Sequence, residues 1–164
     1  VEDEIQFKVH DMRNPIYGNI SDEKVDAVFS LFTSFGYFDD AKDDEKVFES
    51  VAGVLKDNGY FVLDFLNEKF VKNNLEKEDI IIKDDITFKI SKKIEHNNVI
   101  KDIRFTDDGE DYHFFEKVKL HTELQIETLA NNANFERVAL FGNYQLDVFD
   151  PETSPRCITI FKRK

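Results

Sequence analysis

From Val25 to Phe32 the chain is apolar except for Asp26 and Ser30. Such a run is too short for a membrane span and reads as a strand buried on both faces. Tyr60–Phe65 is a second run of the same kind. Between them, acidic residues from Asp39 onward precede Val47, Phe48, Val51, Val54 and Leu55, whose spacing predicts one buried helical face, with Asn58-Gly59 as its stop. Strand, helix, strand in that order predicts a right-handed crossover and two parallel strands. The loop from Thr33 to Asp40 then opens at their carboxyl edge, where open α/β sheets bind ligands.

Elsewhere the apolar positions alternate. Ile5, Phe7 and Val9 against Gln6, Lys8 and His10 predict a strand with one buried face. Leu66 to Glu78 is polar and mixed in sign, and reads as a helix over the mouth of the pocket or a mobile connection. The sets Ile86-Phe88-Ile90, Val99-Ile103-Phe105 and Tyr112-Phe114-Val118, separated by His96-Asn97-Asn98 and Asp107-Asp108-Gly109, predict a three-stranded antiparallel meander. Thr122 and Gln125 form a capping box ahead of Leu124, Ile126, Leu129, Ala130 and Ala133. Asn132-Ala-Asn134 ends that helix, and Asn tolerates a left-handed backbone better than most residues. Phe135–Leu140 and Arg156–Phe161 read as the last strands, joined across the turn-rich stretch from Gly142 to Pro155.

Composition narrows the class. A chain of 164 residues is long enough for one domain with a real core. It holds 17 Phe and no Trp, so benzyl rings that need no buried hydrogen-bond partner must fill much of that core. The formal net charge of −12 argues against a nucleic-acid partner, which requires clustered Lys and Arg. No apolar stretch approaches the roughly 20 residues of a spanning helix, so no membrane partner is expected. Cys157 is the sole cysteine and has no zinc spacing around it, so a reducing, cytoplasmic setting is the expectation. His10, His96, His113 and His121 are scattered, and no metal, P-loop or G-x-S-x-G motif is present.

Val25-Asp-Ala-Val-Phe-Ser-Leu-Phe-Thr-Ser-Phe-Gly-Tyr-Phe38, followed by Val54-Leu-Lys-Asp-Asn-Gly-Tyr-Phe-Val-Leu-Asp-Phe-Leu-Asn67, resembles the central part of class I S-adenosylmethionine-dependent methyltransferases, in their small-molecule branch. His10-Asp-Met-Arg13 and Phe141-Gly-Asn-Tyr144 fall where that family has matching pieces. The resemblance implies an α/β fold: the C-terminal part of a Rossmann-like methyltransferase sheet, with the meander over residues 80–120 inserted as a cap on the substrate. The family's Gly-rich loop and the acidic residue after its second strand have no counterpart here. With Val at position 1 and Met12 as the sole methionine, the chain is expected to be a truncated piece of something longer.

The same resemblance implies S-adenosylmethionine as cofactor and a small-molecule methyl acceptor. Asp11 would accept a hydrogen bond from the adenine amino group, Met12 would meet the ring, and Leu31 and Phe32 would lie beside the sulfonium. Ser34, Tyr37 and Phe38 would face the acceptor. Read without the resemblance, Asp11 opens a turn before Asn14-Pro15, Arg13 is an exposed arginine, and Tyr37 and Phe38 pack inward. Asp64 is either pocket-facing or a brace, His113 and His121 are weak candidates for a base, and the catalytic residues are unknown. In the family's sheet order the absent strands would leave a gap of about 10 Å beside Val25–Leu31, at ~4.8 Å per strand. Ile5–Val9 is expected to pair directly across it, or strands to be exchanged with another copy through unpaired edges. The competing reading is a non-enzymatic α/β protein-interaction module.

Overall fold

The structure, a computed structural model, describes residues 5–164. Strand β1 (Val25–Ser30) leads through a loop into helix α1 (Ala41–Val54), which returns the chain to strand β2 (Leu55–Leu66), parallel to β1. Asp40 caps α1, its side chain accepting from the Lys42 N–H at 2.9 Å, and Asp43 and Asp44 lie in the first turn, where the helix dipole favours negative charge. Val47, Phe48, Val51 and Val54 are its buried side. The helix stops at Val54, ahead of the Asn58-Gly59 stop that the pattern predicts. Leu55 is fully buried and pairs with Val25, whereas Lys56, Asp57 and Asn58 would extend the helix with no apolar face to bury. Asn58 instead takes a left-handed φ of 63° in an irregular opening of β2.

A short helix, α2 (Glu68–Asn74), follows. Next comes an antiparallel sheet of β3 (Glu78–Lys83), β4 (Ile86–Glu95), β5 (Asn98–Asp107) and β6 (Glu110–Lys119) in chain order. It contains the three predicted alternating runs, with β3 added at one edge. Helix α3 (Glu123–Asn132) starts at the expected capping box, in which Thr122 Oγ1 accepts from the Gln125 N–H and Gln125 Oε1 accepts from the Thr122 N–H. It ends at Asn132, and Asn134 just beyond it has a φ of 65°. The closing strands β7 (Phe135–Phe141) and β8 (Arg156–Arg163) give the first sheet the order β1-β2-β8-β7, with β8 antiparallel to both neighbours.

The expected strand at Ile5–Val9 does not form. Phe7 and Val9 are 93% and 105% exposed, and the segment makes no ladder with β1. An alternating pattern specifies which face would be buried, but a strand also needs a partner for its backbone groups. Pairing across the gap is therefore absent among the described residues, where β1 is an edge with Phe29 62% exposed.

Phe35, Phe48, Phe61, Phe65, Phe135 and Phe161 are the largest fully buried side chains, as the composition implies. Phe48 meets Phe35 and Phe61 edge to face at 5.6 and 5.5 Å, an arrangement the ring quadrupoles favour. The second sheet joins this core through the end of β6. The Lys119 N–H donates to the Gly36 carbonyl at 2.7 Å, Val118 enters the core, and Lys119 Nζ reaches the buried Asp44 at 2.7 Å. A Cβ on Gly36 would sit 2.9 Å from the Lys119 carbonyl oxygen and its φ is +88°, so glycine is required for that junction. No helix among the described residues is long and apolar enough to cross a membrane.

Candidate functional site at the carboxyl edge of the parallel strands

β1 and β2 run the same way, so Leu31–Phe38 and Asp64 emerge at a common rim. The loop after β1 separates its side chains. Phe35 and Gly36 are buried, Phe38 packs against the core, and Leu31, Phe32 and Tyr37 stay 40%, 76% and 50% exposed. Ser34 Oγ turns back and donates to the Leu31 carbonyl at 2.6 Å.

Phe32 and Thr33 both adopt left-handed backbone, with φ of 56° and 63°. For non-glycine residues, one of them β-branched, this costs on the order of 1–3 kcal/mol each and persists only where neighbours over-determine it. Asp64 does so. Its carboxylate is 1% exposed. Oδ2 accepts the Phe32 N–H at 2.8 Å and the Tyr144 hydroxyl at 2.9 Å, and Oδ1 accepts Arg156 Nε at 2.8 Å and Nη2 at 2.5 Å. The Thr33 N–H donates to the Asp64 carbonyl at 3.2 Å, and Arg156 Nη2 also reaches Thr33 Oγ1 at 2.9 Å. Both carboxylate oxygens are thus engaged, and Asp64 is a brace. Burial, then the bond to Asp64, push the Tyr144 hydroxyl above its ordinary pKa, so it stays a donor. The result is an exposed aromatic corner in which the Phe32 and Tyr144 rings lie 6.3 Å apart and tilted by 57°.

Asp11 and Met12 occupy a turn tied to the opposite flank of the same loop. The Asp11 carboxylate accepts the Arg13 N–H at 3.0 Å and the Arg13 guanidinium at 2.6 Å from Nη2, while Arg13 Nη1 reaches Asp43 at 3.0 Å. The Arg13 guanidinium lies 4.6 Å from the Phe38 ring centroid. The Arg13 side chain, then its backbone N–H, hold the Asp11 carboxyl down to about 2. Met12 packs against the core, and Ser50 anchors the turn to α1 by donating to the Asn14 carbonyl at 2.6 Å. Asp11 here is the hub of an ion-pair network, and Arg13 is a brace between the turn and α1.

The expected residues therefore fall into groups held by different anchors. Leu31, Phe32 and Ser34 go with Asp64, Arg156 and Tyr144, whereas Asp11 and Met12 join Phe38 through Arg13. Tyr37 turns toward the second sheet, where burial and then the Glu116 carboxylate raise its hydroxyl pKa. Among the base candidates, His113 pairs with Asp102 at 2.5 Å on the second sheet, and His121 is buried between Phe35 and Phe65 at 3.2 Å from Asp44. Neither reaches the rim group. Burial pushes the Cys157 thiol up to about 11, which makes it inert at neutral pH. Arg156, the residue that sequence reasoning missed, had no signal beyond being a lone cation opening an apolar strand.

No family model and no curated protein matches the sequence. Solved structures do match the fold. An S-adenosylmethionine-dependent methyltransferase from Clostridium acetobutylicum aligns over 95% of this chain at 19% identity with a TM-score of 0.80. KedS8, a sugar N-methyltransferase from Streptoalloteichus, aligns over 94% at 16% identity and 0.70. CalS10, an amino pentose methyltransferase from Micromonospora echinaspora solved with S-adenosylmethionine bound, aligns over 94% at 15% identity and 0.67. The chain spans 63%, 61% and 63% of those chains respectively. It has the fold of part of these S-adenosylmethionine-dependent methyltransferases.

Replacing Asp64 by Ala leaves the half-buried Arg156 guanidinium unpaired and frees the strained turn. Urea unfolding is expected to show a loss of about 3–5 kcal/mol, and a loss below ~1 kcal/mol would contradict the brace. For Asp11 the folded pKa lies below the ordinary 3.8, so the tie to Arg13 is intact above pH 3.8 and is lost as pH falls through about 2. A carboxyl-detected NMR titration of Asp11 is expected to show that midpoint.

Proposed function

We propose that this chain is the C-terminal part of a methyltransferase that uses S-adenosylmethionine to methylate a small molecule. The observation that carries the reading is the rim itself. Two parallel strands deliver a strained, braced loop to the edge where open α/β sheets bind ligands, in a fold whose solved relatives include a chain with that cofactor bound.

The cofactor supplies a methyl group already activated as a sulfonium. What this chain's residues do is bind, orient and exclude water. Phe32 and Tyr144 form an aromatic wall suited to a cationic centre. Leu31 adds apolar surface beside them. On the other flank, Asp11 and Met12 would hold the adenine end, the amino group competing with Arg13 for the Asp11 carboxylate. Ser34, Tyr37 and Phe38 would meet the acceptor, with the second sheet closing over it. The ion pair of Lys117 on β6 with Asp39 at 2.5 Å, and the bond from the Lys119 N–H to the Gly36 carbonyl, support a cap that sits against the rim. The relatives named for sugar and amino-sugar substrates make an amine acceptor the reading to test first.

The chain alone is proposed to be inactive. The Gly-rich turn that lets a backbone approach the cofactor is not in this sequence, and β1 has no outer neighbour among the described residues. Calorimetric titration with S-adenosylmethionine is expected to give no micromolar binding to the 164-residue chain. A longer chain in which this sequence is joined to a Gly-rich strand-loop-helix is expected to bind it. Micromolar binding by the short chain would remove the inactivity proposal; absence of binding by the longer one would remove the methyl-transfer reading.

A further inference from the structure

Asp44 and His121 take no part in the rim. Asp44 lies in the first turn of α1 and His121 just ahead of α3, and they are 1% and 7% exposed. Each is held in place. Lys119 Nζ donates to Asp44 Oδ2 at 2.7 Å, and the His121 ring sits between Phe35 and Phe65, with ring centroids at 5.2 and 5.9 Å. Yet each carries one atom with nothing to bond. Asp44 Oδ1 and His121 Nε2 are buried and have no hydrogen-bond partner among the described residues. His121 Nε2 lies 3.2 Å from Asp44 Oδ2, but the two are not aligned for a bond. Folded chains pair nearly all such atoms, because a buried polar group left unmet has lost its hydration for nothing.

Both residues line a cavity of about 320 Å³ between α1 and α3. That is far more room than one water needs, and it falls at the small end of the roughly 300–1,000 Å³ of small-molecule sites. Leu124 and Leu129 of α3 give it an apolar wall, and Leu124 is 70% exposed there. Glu45 stands beside Asp44, and no Lys or Arg is among the lining residues. We propose that this cavity binds a small organic cation, a primary alkylammonium whose head meets Asp44 Oδ1 and His121 Nε2 while its short chain lies against Leu124 and Leu129. Asp44 Oδ1 can only accept, and His121 Nε2 accepts in the tautomer that carries the proton on Nδ1. An ammonium brings three N–H donors and no acceptor, so a single head group serves both atoms. Lys119 offsets one of the two carboxylates, and the other outweighs the roughly half positive charge that the start of α1 places there. A carboxylate or phosphate head would be repelled. None of Phe32, Asp64 and Tyr144 lines the cavity, so binding here is independent of the methyl-transfer reading.

Calorimetry and NMR on the full 164-residue chain test this, with pentylamine as the probe. At neutral pH pentylammonium is expected to bind with a Kd at or below about 1 mM and to move the His121 ring resonances. Pentanol, which has the chain without the charge, pentanoate, which has the opposite charge, and ammonium chloride, which has the head alone, are each expected to bind at least about tenfold more weakly. Thr128→Phe fills the cavity from an exposed position on α3, and is expected to weaken pentylammonium by about tenfold or more with the unfolding midpoint unchanged. Asp44→Asn keeps an oxygen for Lys119 but removes the charge, and is expected to cause the same loss in a chain that still folds. No binding at about 10 mM pentylammonium would overturn the proposal and leave the cavity to water. So would equal affinity for pentanol, equal competition by potassium chloride, or binding that survives Thr128→Phe in the folded chain.

Discussion

A buried carboxylate that accepts from four donors organises the carboxyl edge of this molecule. Asp64 ends β2, yet its partners come from the loop after β1, from the first residue of β8 and from the β7–β8 connection. Removing such a group from water is costly unless every lone pair is met, and here the Arg156 fork neutralises the charge while Tyr144 and the Phe32 N–H complete the shell. The consequence is directional. The same bonds that satisfy Asp64 force Phe32 and Thr33 into left-handed backbone, and that conformation turns the Phe32 ring outward beside Tyr144 while Phe35, three residues on, enters the core.

The strain at the rim is supported by what lies behind it. Gly36 lets β6 approach closely, Lys119 and Asp44 close the junction, and the phenylalanine cluster fixes α1 under the sheet. Arg13 holds the Asp11 turn against the other side of the loop by stacking on Phe38 and pairing with Asp43. One short loop thus collects an ion-pair network on one flank and a neutralised buried carboxylate on the other. That asymmetry gives the rim a charged flank and an apolar, aromatic one. Among the described residues no strand pairs with the outer edge of β1, and Phe29 on that strand is 62% exposed.

Most elements were legible from periodicity because each buries one definable face: α1, β2, the meander, α3 and the closing strands all fall where their apolar spacing puts them. The failures have separate physical causes. Ile5–Val9 has a strand's alternation but no neighbour to complete a ladder. β3 holds three consecutive isoleucines, so a search for alternation passes over it, and it is an edge exposed on both faces. Asn58-Gly59 has the chemistry of a helix stop but sits beyond the point where burying Leu55 opposite Val25 already ends α1. At the site, Asp64 could be placed at the rim because strand ends can be read in sequence. Its role could not, because Tyr144 and Arg156 lie 80 and 92 residues further along the chain and arrive only through the antiparallel register of β8.

Native-state hydrogen exchange at the Phe32 amide probes the Asp64 constraint most directly, since that hydrogen sits in a loop with no ladder partner and is held by the carboxylate alone. If the constraint holds, this amide exchanges only when the sheet opens, with protection approaching that of Leu63 in the centre of β2. Exchange at the rate of an unstructured peptide would mean that the turn is free, and the account of the rim would fail with it.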